Sequence, residues 1–139
     1  MKKTTILLIA LFVFMSCSSK EVKPETDESK KAREAFAVAA AVKDAYLKRE
    51  LSVIENNTTK EGYREILGAI KNFDKADLTF SHKWVEIDKG AVSLKIAWSG
   101  TWIVSGQTTE ERGTAIFVFE GRPLKLSRIL RTNPFRQPE

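Results

Sequence analysis

Cysteine and histidine each occur once in this chain, as Cys17 and His82. A lone cysteine excludes an intramolecular disulfide framework. One histidine, with no second ligand at useful spacing, gives no basis for a metal centre. No glycine-rich phosphate loop, nucleophile elbow or haem-attachment motif is present, so no cofactor is expected. Long apolar runs are missing too. The longest, Ile6–Met15, is about half of the ~20 helical residues that a bilayer core requires. There is no internal repeat and no long low-complexity tract.

What the amino terminus does have is an order. Lys2 and Lys3 lead into the short uncharged run, and small residues follow it, which is the pattern of a secretory signal. Ser16-Cys17 behind large apolar residues resembles a bacterial lipobox, although Phe14 and Met15 stand where that pattern prefers leucine and a small residue. The resemblance implies cleavage before Cys17, a lipid (palmitate among its chains) on that cysteine, and attachment to the membrane through it. A lipid would also cap a thiol that has no partner in an oxidising compartment. Ser18 rather than an aspartate behind the cysteine resembles lipoproteins delivered to an outer membrane. The expected location is therefore the bacterial cell envelope, lipid-anchored at the outer membrane and facing the periplasm.

The segment Ser18 to about Ser29 has Val22 as its one apolar residue, beside Pro24 and alternating charges. It cannot bury enough surface to offset its ordering entropy, and reads as a tether of at most ~40 Å. The expected organisation is a leader at 1–16, the lipidated cysteine and tether at 17–29, one domain at 30–135 and a tail at 136–139. The chain's net charge is +5, and two of those charges leave with the leader. The remaining excess is mild, and no nucleic-acid partner is expected.

Glu28–Glu50 contains no glycine or proline and is rich in good helix formers. Phe36, Ala39, Ala40, Val42, Ala45 (or Tyr46) and Leu47 recur at three and four, one stripe of an amphipathic helix. Leu51, Val53 and Ile54 add a short second turn before Asn56-Asn57. Thr58-Thr59-Lys60-Glu61 predicts a capping box, and Tyr63, Ile66, Leu67, Ile70 and Phe73 the apolar face of a second long helix that ends near Asn72 or Phe73. After Asp74 the period becomes two. Leu78, Phe80, His82 and Trp84 share one strand face, closed by a turn at Asp88-Lys89-Gly90. Val92, Leu94, Ile96, Trp98, Gly100, Trp102 and Val104 share a face of the next strand. Gly106–Arg112 reads as a polar loop, Ala115, Phe117 and Phe119 as a third strand, Gly121-Arg122-Pro123 as a turn, and Leu124–Arg131 as a fourth strand.

Helices followed by a four-stranded antiparallel meander define an α+β fold. The order, the lengths and the closing Asn133-Pro134-Phe135 resemble the nuclear transport factor 2-like superfamily (the SnoaL-like, cystatin-like α+β group). The resemblance covers about residues 30–135 and implies a strongly curved sheet wrapped as a cone around amino-terminal helices. In "AWSGTW", Gly100 between Trp98 and Trp102 reads as a bulge or bend that lets the long strand curl, with both indoles in the core or lining the mouth of the cone.

That superfamily contains isomerases, dehydratases and many members with no catalysis. Its enzymes place a carboxylate, histidine or tyrosine inside the cone. The candidates here are His82 on a strand, Asp44 and Tyr46 on the first helix, and Tyr63 on the second long helix. The pocket-lining candidates are Trp84, Trp98, Trp102 and His82. The carboxy-terminal Arg122, Lys125, Arg128, Arg131 and Arg136 suggest a charged, solvated outer edge, or else a contact with anionic headgroups or an acidic polymer. Three functions follow. The favoured one is a non-catalytic envelope lipoprotein whose domain binds an apolar small molecule or an envelope protein. The others are an isomerase or dehydratase acting through His82, and an outer-membrane assembly lipoprotein. A homodimer through the sheet is a property that the resemblance carries with it.

Overall fold

The computed structural model describes residues 23–139, so the expectations for the leader and for lipidation of Cys17 lie outside the described residues. Three helices are followed by a sheet and a final turn of 3-10 helix: α1 (Asp27–Lys48), α2 (Leu51–Asn56), α3 (Lys60–Ala69), β1 (Lys75–Asp88), β2 (Ala91–Val104), β3 (Gln107–Glu120), β4 (Lys125–Arg131) and α4 (Pro134–Arg136). The four strands form one antiparallel sheet in the order β1-β2-β3-β4.

The Thr26 hydroxyl accepts from the Ser29 amide and starts α1, with Asp27 and Glu28 at its positive end. The helix therefore begins inside the stretch read as tether. It stops at Arg49, whose positive φ of 61° directs its amide back to the Ala45 and Tyr46 carbonyls. At α3 the cap is one residue later than expected. Thr59 accepts from the Gly62 amide, while Thr58 turns back to donate to the Ile54 carbonyl at 2.8 Å, so no capping box forms with Glu61. Gly62 is buried directly over the Leu126 backbone, a close approach that leaves no room for a Cβ.

Two-residue hairpin loops join β1 to β2 (Lys89-Gly90) and β2 to β3 (Ser105-Gly106), and all four residues have positive φ, as primed turns require. The second loop corrects an expectation. Residues 107–112 are the first half of β3, paired with β2 as far as Val104, and not a polar loop. In this half the inward positions Thr109 and Glu111 stay partly exposed beside Trp102 and Gly100, so weak burial selects no apolar residues and the alternation that signals a strand is missing.

Two bulges shift the phase of the sheet. In β1 the pairs His82↔Ile96 and Trp84↔Lys95 leave Lys83 without a partner. In β4 the pairs Phe119↔Leu126 and Val118↔Arg128 leave Ser127 out, and its hydroxyl donates to the Val118 carbonyl. At Gly100, by contrast, the ladder is continuous on both sides. The expected bulge is absent there, because the glycine serves a different purpose described below.

The core lies between the inner sheet face and the helices. Ala35, Val38, Ala39, Val42, Ala45 and Tyr46 come from α1, and Ile66 from α3. The β4 edge is closed by the helices: the Thr59 amide donates to the Leu126 carbonyl, the Leu126 amide to the Asn57 carbonyl, and the Ile129 amide to the Glu65 carboxylate.

Candidate functional site

The interior of the sheet is filled by the chain's own aromatic side chains. Trp102, Tyr46, Phe117, Phe119 and Phe135 are all fully buried. Phe135, carried in by α4, has its ring centroid 5.0 Å from that of Tyr46 and 6.0 Å from that of Phe117. Asn133 caps α4 by accepting from the Phe135 amide at 2.8 Å, which locks the terminal Asn133-Pro134-Phe135 into the core. The tail beyond it is also tied down: Gln137 is buried and the Pro138 carbonyl accepts from Lys71.

Each inner tryptophan rests on a glycine. The Trp102 indole folds over Gly100, two residues back on its own strand. The Trp98 ring covers Gly113, its partner across the β2–β3 ladder. A Cβ at either position would lie under 3.0 Å from the ring. Gly100 thus makes space for an indole. The two indoles meet edge to face at 6.4 Å. Trp102 Nε1 donates to the Tyr46 hydroxyl at 2.8 Å, and Trp98 Nε1 to the Thr132 carbonyl at 2.9 Å. Burial raises the pKa of Tyr46 above its ordinary value, against the smaller opposing effects of the Trp102 hydrogen bond and of Arg49.

The residues proposed from sequence do not converge. Trp98 and Trp102 are core. His82 is on the inner side but exposed at the rim, where its ring stacks on Phe36 with centroids 4.5 Å apart. Asp44 faces away from the core, with its carboxylate 3.3 Å from Lys43 Nζ. Tyr63 on α3 packs against the core but is only half-buried, so Tyr46 is the one acid–base candidate fully buried inside the cone.

Trp84 stands on the other face of the sheet. Residues opposite each other in an antiparallel ladder point to the same side, and Trp84 pairs with Lys95 while Val85 pairs with the buried Leu94. The Lys83 bulge thus turns Trp84 outward and brings Val85 and Ile87 to the inner side. A strict period of two misses this switch. The signal is the move of aliphatic and aromatic residues from the even positions 78 and 80 to the odd positions 85 and 87. The three-residue spacing of Leu126 and Ile129, both inward, marks the β4 bulge in the same way.

Across the outer face, Trp84–Lys95–Ile116–Leu130 form one row, and Glu86–Ser93–Val118–Arg128 the next. Trp84 is 41% and Leu130 43% exposed. Further along the same face a polar groove of about 620 Å³ is bordered by Asp77, Thr79, Ser99, Thr101, Glu110 and Arg112. No group of three or more histidine, cysteine or acidic side chains among the described residues is placed to hold a metal ion. No helix among them is long and apolar enough to cross a membrane.

No protein-family model matches the chain, and no curated protein matches it. Among solved structures, a nuclear transport factor 2 (NTF2-like) superfamily protein from Salmonella enterica subsp. enterica serovar Typhimurium str. LT2 is similar, with a TM-score of 0.67 over 80% of this chain and 96% of that one. The fold is the NTF2-like α+β cone. At 13% sequence identity the likeness concerns the fold alone. Within it, this chain has filled the interior with Trp102, Phe117 and Phe135 and left its exposed indole outside.

Proposed function

We propose that this chain is a non-catalytic binding module of the bacterial cell envelope, held at a membrane by lipid on Cys17, with its contacts made by the outside of the domain. The observation that carries the non-catalytic part is the divergence of the acid–base candidates. His82 is at the rim, Asp44 is outside, and Tyr46 is sealed under Trp102 among aromatic rings. General acid–base chemistry needs its groups within reach of one substrate atom, and these share no space. The anchoring part is supported by the basic lead, the short apolar run and the single cysteine behind it.

Two measurements test this. Tryptophan emission of the folded protein should be blue-shifted in its Trp98 and Trp102 component, resistant to acrylamide, and unmoved by an extract of envelope small molecules. A saturable shift of that component would mean an accessible interior and would restore the pocket and enzyme readings. Separately, Cys17→Ser should leave the chain uncleaved and without lipid by mass. A mature mass that differs from the parent's by no more than the sulfur-to-oxygen exchange would remove the lipoprotein reading.

A further inference from the structure

We propose that the outer sheet face around Trp84 and Leu130 docks onto an anionic phospholipid surface, so that the domain lies against the membrane that tethers it and does not hang free. This rests on the tether reading above and adds which face meets the bilayer.

Three observations lead to it. The first is the composition of the row. Trp84, Ile116 and Leu130 lie on three strands of a four-stranded face, within about 15 Å at ordinary strand spacing. Both end residues are more than two-fifths exposed. An indole beside aliphatic side chains and cations is the pattern of an interfacial surface, because the ring settles at headgroup depth. The second is charge. Lys95 stands inside the apolar row and Arg128 in the next, and neither forms an ion pair among the described residues. Lys83 is exposed in the bulge beside Trp84, while Lys125, next on β4, stands opposite Glu120 in the ladder. Glu86 is the one carboxylate in the two rows. A second copy is the poorer occupant. A two-fold contact centred on this row would set Lys95 either on its own equivalent or on Ile116, burying the ammonium without a partner in both cases.

The third is where the chain enters the domain. Glu28, Ser29 and Ala32, in the first turns of α1, share a surface cleft with Val85 and Ile87. The amino-terminal segment therefore arrives at the Trp84 end of β1, on the inner side of this edge strand and one strand's width from the outer face. From Cys17 to the helix start at Asp27 is a span of at most ~35 Å. A lipid at that cysteine keeps this end of the sheet, more than the Asp77–Glu110 end, close to the headgroups. Tethering raises the local concentration of a weak face at the surface it faces, so a small patch suffices.

The test uses the full chain and Trp84 as reporter, since Trp98 and Trp102 are buried. The chain is mixed with vesicles of phosphatidylcholine alone, and with vesicles containing about 30% phosphatidylglycerol, each with brominated acyl chains as quencher. Flotation and emission are read together. The expected result is flotation on both, with quenching of the exposed component only on anionic vesicles, relieved by high salt and absent in Trp84→Phe. Lys95→Glu with Arg128→Glu should weaken the quenched state by about tenfold or more, at roughly fivefold per cation, with flotation and circular dichroism unchanged. Flotation with Trp84 unquenched, or quenched equally on neutral vesicles, overturns the docking and leaves the tether standing. Flotation on anionic vesicles only, released by salt and with Trp84 quenched, supports the docking and overturns the tether. A chain that floats on neither overturns both. A dimer whose interface protects Trp84 from lipid counts against the docking and assigns the face to a second copy.

Discussion

Trp102 and Tyr46 share one hydrogen bond at 2.8 Å, indole N–H to phenol oxygen, across 56 residues of sequence. It joins the first helix to the second strand at the centre of the core. Both groups are buried, so each depends on the other for its polar atom. Tyr46→Phe keeps the ring and removes the acceptor, leaving the Trp102 N–H unsatisfied. The expected cost is about 1–3 kcal/mol, read as a lower urea midpoint at unchanged slope.

The same pair sets an alkaline limit. Burial raises the Tyr46 pKa in the folded state, so its contribution is fully present below the unfolded value near 10. It is lost as pH rises from there through the folded value, because only the unfolded chain ionises first. A melting series from pH 8 to 11 should show the parent losing stability above about pH 10 more steeply than Tyr46→Phe.

Gly100 and Gly113 lie beneath indoles, and a methyl group at either would meet a ring held by its own hydrogen bond. Gly100→Ala and Gly113→Ala should each cost about 1–3 kcal/mol through overpacking. Trp98→Phe shortens the ring over Gly113, so a double-mutant cycle with Gly113→Ala should show a favourable coupling. If Gly100 acted only by bending the strand, its alanine variant would be close to neutral, since no φ there is positive.

Phe135 is a plug as well as a terminus. Phe135→Ala should cost about 3–5 kcal/mol and leave an apolar void lined by Tyr46, Phe80 and Phe117. Such voids stay dry and admit small aromatics. Part of the lost stability should return in a thermal melt with benzene, and the parent protein should show no such response.

His82 stacks on Phe36 at the rim and is exposed. His82→Ala should lower stability by no more than about 1 kcal/mol, and leave the emission of the buried tryptophans unchanged.

Most helices and strands were legible in the sequence where burial imposes a period, although α3 ends at Ala69, short of the Asn72 or Phe73 that its apolar spacing predicts, and Leu67 on that face is exposed. The α1 stripe around Ala39, Val42 and Tyr46 and the β2 series from Val92 to Trp102 stand as expected. Legibility failed where burial is weak or the period slips. Residues 107–112 are exposed or only half-buried, so their polarity reads as a loop. A strict period of two puts Trp84 on the wrong face because one unpaired residue, Lys83, intervenes. The aromatic set was visible, but its use was not. Nothing local says that Trp102 folds back over Gly100, or that Phe135 returns to fill the space a ligand would need.

The β1 bulge also bears on how this chain tolerates changes in length. Lys83 is a residue that the ladder does not count, since His82 and Trp84 pair with the neighbours Ile96 and Lys95. A deletion of that single codon would leave every side chain of β1 on its present side and merely straighten the strand. A deletion elsewhere between Lys75 and Asp88 would turn one part of the strand inside out. Natural loss or gain of a residue in this strand should therefore concentrate at position 83, and a catalogue of its length variants would locate the bulge without any structure.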